Sequence, residues 1–173
     1  LIRVLYTMYF QPCARLSRLA RDFEFRADEE GRISPYYDIF RRVGQETGID
    51  WRLLAALAYS ESRFDPAVRS PFGAVGLMQV LPSTAQQVKG IRWPKDVDRA
   101  LLDPEFNIRL GAKYLRWLMA RFEEAGVQKK QQIRFALAAY NAGLGHVMDA
   151  RVLATETGLN PNLWFGNVEQ AIQ

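Results

Sequence analysis

From residue 33 onward the apolar positions recur at helical spacing, and polar punctuation separates one run from the next. Ser34 can cap a helix with Pro35 in its first position. Tyr36, Ile39, Phe40 and Val43 then share one face, and Gly48 ends it. Asp50 can cap a second helix, from Trp51 to about Glu61, in which Leu53 to Tyr59 are apolar nearly all round. A loop follows through Pro66, Pro71, Gly73 and Gly76. Pro82-Ser83-Thr84 opens a short helix that Gly90 closes. Asp103-Pro104 opens the longest helix, lined on one side by Asn107, Gly111, Tyr114, Leu115, Leu118 and Phe122. Ile133 to Asn141 predicts another helix, stopped by Gly143 and Gly145. His146 to Thr157 predicts a last one before Gly158. No run alternates with period two and no internal repeat is found. The pattern predicts an all-α fold with connections of a few residues.

The 173-residue length suits one domain with a real core. At 49% hydrophobic and 24% charged residues, the composition excludes a disordered or collagen-like chain. The longest apolar run, Leu53 to Tyr59, is far short of a membrane span. Cys13 is the single cysteine, so no intrachain disulfide is expected. His146 is the single histidine, so a metal site is not expected, and no cofactor is called for. The net charge is +4, and acids and bases balance over the first thirty residues, so the excess lies beyond them. A mildly basic surface suits an anionic partner such as an acidic glycan. A concentrated Lys/Arg stripe is lacking, which argues against a nucleic-acid partner. Residues 1–30 read as an N-terminal appendage, or a linker from a preceding domain. Val4 to Phe10 is apolar, but Pro12 follows at once, with no small-residue cleavage site or lipoprotein pattern around Cys13.

Glu61 is the candidate for chemistry. Leu54, Leu57 and Ala58 precede it by seven, four and three residues, so on a helix the carboxyl continues an apolar stripe. A carboxyl held against apolar groups resists ionising. Its pKa climbs from about 4.3 toward 6 or higher, the range of a general acid near neutrality. The plainer alternative is a Glu that bends to solvent or pairs with Arg63 or Arg52. Asp65-Pro66 follows and predicts the end of the helix, with the carboxyl facing whatever the next loop encloses. In that loop Gly73 and Gly76 permit tight turns and close ligand approach. Ser70 and Gln79 offer a hydroxyl and an amide suited to sugar hydroxyls and acetamido groups. Phe64 and Phe72 offer apolar surface. A second polar cluster, Tyr140 and Asn141, ends the helix that starts near Ile133.

Three blocks stand in order: Glu61-Ser62-x-Phe64-x-Pro66-x-x-x-Ser70-x-x-Gly73-Ala74-x-Gly76-Leu77-Met78-Gln79 with Pro82-x-Thr84-Ala85, then Asn107-Ile108-x-x-Gly111-x-x-Tyr114-Leu115, then Ala138-Ala139-Tyr140-Asn141-Ala142-Gly143. Together they resemble the lytic transglycosylases of the soluble type, grouped with goose-type lysozyme in glycoside hydrolase family 23. The resemblance covers roughly residues 33–170. It implies a lysozyme-like helical domain over residues 31–173 with an active-site groove. It also implies cleavage of the β-1,4 bond between N-acetylmuramic acid and N-acetylglucosamine in peptidoglycan, without water, leaving a 1,6-anhydro ring.

By the same resemblance Glu61 is the single acid and base, with the substrate's own 2-acetamido oxygen replacing a second carboxylate. Ser70 and Gln79 would bond the sugar, Met78 would wall the site, and Tyr140 and Asn141 would orient the reacting sugar and Glu61. Tyr114 and Ser62 read as packing and helix-end residues. Leu81 stands where many members carry Met. Members usually continue past the third block with a further helical segment, so a catalytic domain cut short at Gln173 is expected. Some members carry a preceding domain similar to periplasmic solute-binding proteins, of which residues 1–30 would be the end. The implied partner is the peptidoglycan glycan strand, bound by a monomer in the periplasm, with outer-membrane anchorage through the upstream region. Two rivals stay open on sequence alone: a goose-type muramidase that admits water, and a non-catalytic peptidoglycan-binding module.

Overall fold

The structure, a computed structural model, describes residues 34–88 and 90–172. The expected appendage at residues 1–30 lies outside them. Among the described residues the elements are α1 (Tyr37–Thr47), α2 (Trp51–Ser62), α3 (Pro82–Ala85), α4 (Val97–Leu101), α5 (Pro104–Glu124), α6 (Lys129–Ala142), α7 (Leu144–Glu156) and a 3₁₀ turn, Val168–Gln170. The all-α expectation holds: the described residues contain no strand, only the isolated bridges Arg69–Val75 and Val75–Val80. Two compact units divide the chain between Tyr114 and Leu115, inside α5.

In the first unit α1 turns its Phe40 and Val43 inward, both wholly buried. Gly48, at φ 68°, ends the helix in the left-handed conformation that a Cβ disfavours. Asp50 then caps α2 by accepting the Arg52 N–H at 2.9 Å. Every residue from Leu53 to Ala58 is buried, so α2 is the central helix of this unit. Edge-to-face contact of Tyr37 with Trp51, at 5.1 Å between centroids, joins the two helices.

Tertiary context moved several element ends. The first helix starts at Tyr37, because the Ser34 hydroxyl accepts the Tyr36 N–H (3.0 Å) and closes a turn through Pro35 instead of capping a helix. The helix over Val97–Leu101 went unpredicted, although Asp96 caps it through the Arg99 N–H at 3.0 Å. A short helix does begin at Pro82, but it ends at Ala85, well before Gly90. Helix α6 starts four residues earlier than its apolar pattern, at Lys129. Gly145 lies inside α7, not between helices; Gly143 alone makes the break.

The second unit is built on aromatic packing. Phe135 of α6 stands 5.2 Å from Phe122 and 5.2 Å from Trp164 between ring centroids. Arg151 of α7 ties three segments together. Its guanidinium donates to the carbonyls of Pro161 and Ala125, each at 2.9 Å, and to Asn162 Oδ1 at 2.7 Å. Burial pushes its pKa down, since no carboxylate answers its charge among the described residues. Arg151→Met keeps the apolar stem and deletes these bonds. We expect a loss of about 2 kcal/mol, since bonds to a charged donor are the stronger kind. Thermal unfolding should show it as a fall of about 6 °C in Tm, with faster hydrogen exchange confined to residues 159–170.

Candidate active site

Helix α2 delivers Glu61 at its last turn. The chain then breaks sharply, because Arg63 (φ 56°) and Phe64 (φ 65°) both take the left-handed conformation. Two consecutive non-glycine residues there store strain that the surroundings must hold. The holding contacts are visible. The Phe64 ring meets Tyr59 at 5.3 Å and Phe40 at 6.1 Å, and the Arg63 N–H returns to the Tyr59 carbonyl at 2.9 Å. The helix therefore ends at Ser62, one residue past the expected end near Glu61 and three before Asp65. Asp65 instead closes its own turn by accepting the Ala67 N–H at 2.8 Å.

The Glu61 carboxyl is half-buried, and burial alone raises its pKa from the ordinary 4.5 to about 7. Among the described residues it has no ion pair or hydrogen bond. Arg52 pairs with Asp50 at 3.4 Å, and Arg63 lies over the Tyr59 ring at 4.6 Å. The plainer alternative, a surface Glu paired with one of those arginines, is thereby set aside. A carboxyl half protonated near neutrality can give a proton and take one back.

Residues 68–80 form a tight loop braced by its own backbone. Gly76 N–H reaches the Val68 carbonyl at 2.9 Å, and Ser70 N–H reaches the Ala74 carbonyl at 2.9 Å. The Ser70 hydroxyl accepts the Ala74 N–H at 3.0 Å, which leaves its own proton to donate. Gln79 sits at φ 47°, and its amide nitrogen donates to the carbonyls of Val68 (3.1 Å) and Gly76 (2.9 Å). Those two bonds use the amide's donors and leave Oε1 as its acceptor. Phe72 stands at the turn's tip, 89% exposed.

Two polar residues fasten this loop to the helices. The Ser62 hydroxyl lies 2.9 Å from the Leu77 carbonyl and 3.0 Å from that of Ala58, so it joins the end of α2 to the loop. Asn107, 1% exposed on α5, does more. Its Oδ1 accepts the Met78 N–H at 2.7 Å, and its Nδ2 donates to the carbonyls of Val75 (2.9 Å) and Leu101 (2.8 Å). Gly76 lets the loop come this close: a Cβ there would run into the Asn107 amide and stand 2.5 Å from the Leu101 carbonyl. Met78 is wholly enclosed, its side chain over Gly111, where a Cβ would stand 2.6 Å from the Met78 Cβ. Sequence reasoning placed Asn107 on a packing face and missed its part as the loop's clamp. The signal was a lone Asn in an otherwise apolar stripe.

The first unit thus gathers Glu61, Ser70, Met78 and Gln79 on α2 and the loop it leads into. Tyr140 and Asn141 belong to the second unit, at the end of α6. Tyr140 is half-buried there, and Asn141 is exposed one residue before the helix ends. Tyr114 is buried on α5, and burial raises its pKa. His146 is exposed in the first turn of α7. Among the described residues no group of three His, Cys, Asp or Glu side chains could hold a metal ion.

The chain matches the Transglycosylase SLT domain family over residues 38–161. It is 45% identical over 145 residues to a membrane-bound lytic murein transglycosylase F of Alcanivorax borkumensis, covering 84% of this chain and 29% of that protein. The protein of the same name from Haemophilus influenzae is 42% identical over 79% of this chain and 26% of its own. The chain thus spans under a third of the length of these relatives. Among solved structures, the 70-kDa soluble lytic transglycosylase of Escherichia coli superposes with a TM-score of 0.56 at 36% identity. That match covers 66% of this chain and 18% of the other. An inactive glutamate-to-glutamine mutant of the lytic transglycosylase Slt of Pseudomonas aeruginosa gives 0.56 at 30% identity, over 86% of this chain and 23% of the other. The helical architecture is that of the lysozyme-like lytic transglycosylases. The relatives named F also accord with the segments Asp50-Trp51-Arg52-Leu53-Leu54-Ala55-Ala56 and Gly145-His146-Val147. With Glu61, the braced loop and the three ordered motifs inside the matched span, this chain belongs to the transglycosylase SLT domain family.

Proposed function

We propose that this chain is the catalytic domain of a peptidoglycan lytic transglycosylase, with Glu61 as its single acid and base. The observation that carries the reading is a carboxyl held near pKa 7 by burial alone, beside a loop rich in polar backbone. Protonated Glu61 gives its proton to the oxygen linking N-acetylmuramic acid to N-acetylglucosamine, and the C1–O bond breaks. The 2-acetamido oxygen of the muramic acid covers the positive C1 from the opposite face, which removes the need for a second carboxylate. Glu61, now ionised, takes the proton of the 6-hydroxyl. That oxygen closes on C1, leaving a 1,6-anhydro ring and a Glu61 protonated again. No water is consumed. A pKa about 7 serves both halves of this cycle.

The other roles follow from donor and acceptor supply. Ser70 donates its remaining hydroxyl proton to a sugar or lactyl oxygen. Gln79 accepts a sugar N–H or O–H at Oε1. Met78 supports the loop from beneath, and the roles of Tyr140 and Asn141 toward the reacting sugar rest on the family resemblance alone. The relatives' names, lytic murein transglycosylases, support murein as the proposed substrate. As further parts of this proposal, the chain works as a monomer in the periplasm, belongs to a protein anchored at the outer membrane, and follows a further domain through residues 1–30. No helix among the described residues is long and apolar enough to cross a membrane, so such an anchor would lie elsewhere. Mass analysis of muropeptides released from purified sacculi tests the reading. Anhydro ends are expected. Reducing ends would move the chemistry to hydrolysis, and no product would leave a binding module.

A further inference from the structure

Two phenylalanines follow Glu61 before the chain reaches Gln79, and the fold uses one of them. Phe64 meets Tyr59 at 5.3 Å and Phe40 at 6.1 Å, where it holds the sharp end of α2. Phe72 is 89% exposed, against 58% for Val152, the next most exposed large apolar residue among those described. It stands on a β-turn. The Gly73 N–H closes that turn on the Ser70 carbonyl at 3.0 Å, with Pro71 and Phe72 as its central residues. Pro71 suits the first central position because its ring fixes φ at about −65°. Turn chemistry gives no reason for a phenylalanine after it, since turns favour Gly, Asn, Asp and Ser.

The turn that carries this ring is firmly braced. Ser70 pairs with Ala74 twice: its N–H reaches the Ala74 carbonyl at 2.9 Å, and its hydroxyl accepts the Ala74 N–H at 3.0 Å. Next along the loop, the Gly76 N–H meets the Val68 carbonyl at 2.9 Å, and Asn107 of α5 holds the Val75 carbonyl at 2.9 Å. The Phe72 ring is thus presented to water from a fixed base, two residues beyond the Ser70 hydroxyl. With the backbone already ordered, only two side-chain torsions are lost on contact, so little entropy opposes binding. A single fixed phenyl ring is complementary to a flat apolar surface of its own size. A β-linked pyranose offers one. Its substituents lie equatorial, and its axial C–H bonds make an apolar face of positively polarised hydrogens, matched to the negative face of the phenyl ring. A lipid surface is the weaker match, because even a whole acyl chain holds a protein to a membrane only marginally.

We propose that Phe72 is a substrate-contacting residue, a stacking platform for a pyranose ring of the glycan strand beside the sugar that Ser70 bonds. The ring it covers is not the one whose C1–O bond breaks, so the contact is equally strong before and during cleavage. Uniform binding of that kind lowers KM and leaves kcat alone. The choice of a glycan strand rests on the function proposed above; the rigid, exposed ring does not.

The test is turnover of soluble glycan strands freed of stem peptides by an amidase, with Phe72→Ala, Phe72→Leu and Phe72→Trp beside the wild type. Phe72→Ala should raise KM about tenfold, the lower end for uncovering a phenyl ring, with the effect in KM and not in kcat. Phe72→Leu keeps apolar bulk without a ring face and should lose nearly as much. Phe72→Trp should restore the wild-type KM. Each variant should keep the wild-type Tm, since the side chain is exposed. Binding is read apart from chemistry, by calorimetry with the tetrasaccharide of alternating N-acetylglucosamine and N-acetylmuramic acid. Phe72→Ala added to Glu61→Gln should weaken its Kd about tenfold relative to Glu61→Gln alone. Wild-type KM and Kd in the Ala variants overturn the proposal. So do full rescue by Phe72→Leu, a loss confined to kcat, and an effect seen only on strands that still carry stem peptides. Binding to phosphatidylglycerol vesicles that Phe72→Ala abolishes, at unchanged KM, also overturns it and gives the ring to a lipid surface. A chain active on murein and indifferent to Phe72→Ala loses the stacking alone. A chain without turnover whose tetrasaccharide binding depends on Phe72 loses the transglycosylase reading alone.

Discussion

Glu61→Gln should lose about a thousandfold in release of anhydro-muropeptides, within the range that general acid–base catalysis contributes, and should at the same time make the protein more stable above neutrality. The two effects have one cause. Burial raises the carboxyl from 4.5 to about 7, so the folded chain holds this proton more tightly than the unfolded chain does. A group shifted upward contributes its stability below the unfolded value and loses it as pH rises through the folded one. The wild type should therefore weaken between about pH 4.5 and 7 on this account. A shift of that size corresponds to about 3 kcal/mol, and the solvent that still reaches a half-buried carboxyl reduces it to roughly 2 kcal/mol. Glutamine carries no charge to desolvate. Its variant should match the wild type near pH 4 and exceed it by that margin at pH 8, measured by denaturant unfolding at both pH values. Activity of the wild type should fall above pH 7 as the acid form empties. Full turnover by Glu61→Gln would remove Glu61 from the reaction. Equal stability of the two proteins at pH 8 would show that the carboxyl is not desolvated.

The site was legible in the sequence where a period or a motif could reach it. The spacing of Leu54, Leu57 and Ala58 before Glu61 was enough to expect a carboxyl on an apolar face, and burial of Leu53 to Ala58 bears that out. Asp50 and Asp103 were legible as caps because the signal is local, one oxygen and one N–H two or three residues on. The loop's conformation was not legible. Arg63, Phe64 and Gln79 take positive φ, which their residue types disfavour, and distant contacts hold them there. Phe64 is held by Phe40, twenty-four residues away in sequence, and Gln79 by the Val68 carbonyl. The start of α6 at Lys129 was hidden for a different reason. Its first turn is polar, with Lys129 and Lys130 exposed, so no apolar period announces it, although Gln132 within it and Val127 just before it are buried. Helix propensity of Lys and Gln carries that turn.

Asn107→Ala should be the most damaging single change away from the carboxyl. Asn107 is buried, and its amide satisfies one N–H and two carbonyls, which fastens the loop and the end of α4 to α5. Alanine removes all three bonds and leaves the Met78 N–H and the Val75 and Leu101 carbonyls facing a cavity. Each buried group left unpaired costs about 1–3 kcal/mol, and water entering the space recovers part of it. We expect a net loss of roughly 4 kcal/mol, which for a chain of this size lowers Tm by about 10 °C. Asn107→Asp should fare no better. Its second oxygen would face the Val75 and Leu101 carbonyls, acceptor against acceptor, and a buried charge would have no partner. Activity should fall further than stability alone requires, because Met78 leads directly into Gln79, and an unfastened loop no longer holds Gln79 or Ser70 in place. The decisive measurement is kcat on sacculi at a temperature where the variant is still folded by circular dichroism. A folded Asn107→Ala with wild-type kcat would show that the loop keeps its shape through its own backbone bonds. A folded variant with kcat reduced tenfold or more would place the clamp in the catalytic machinery's support.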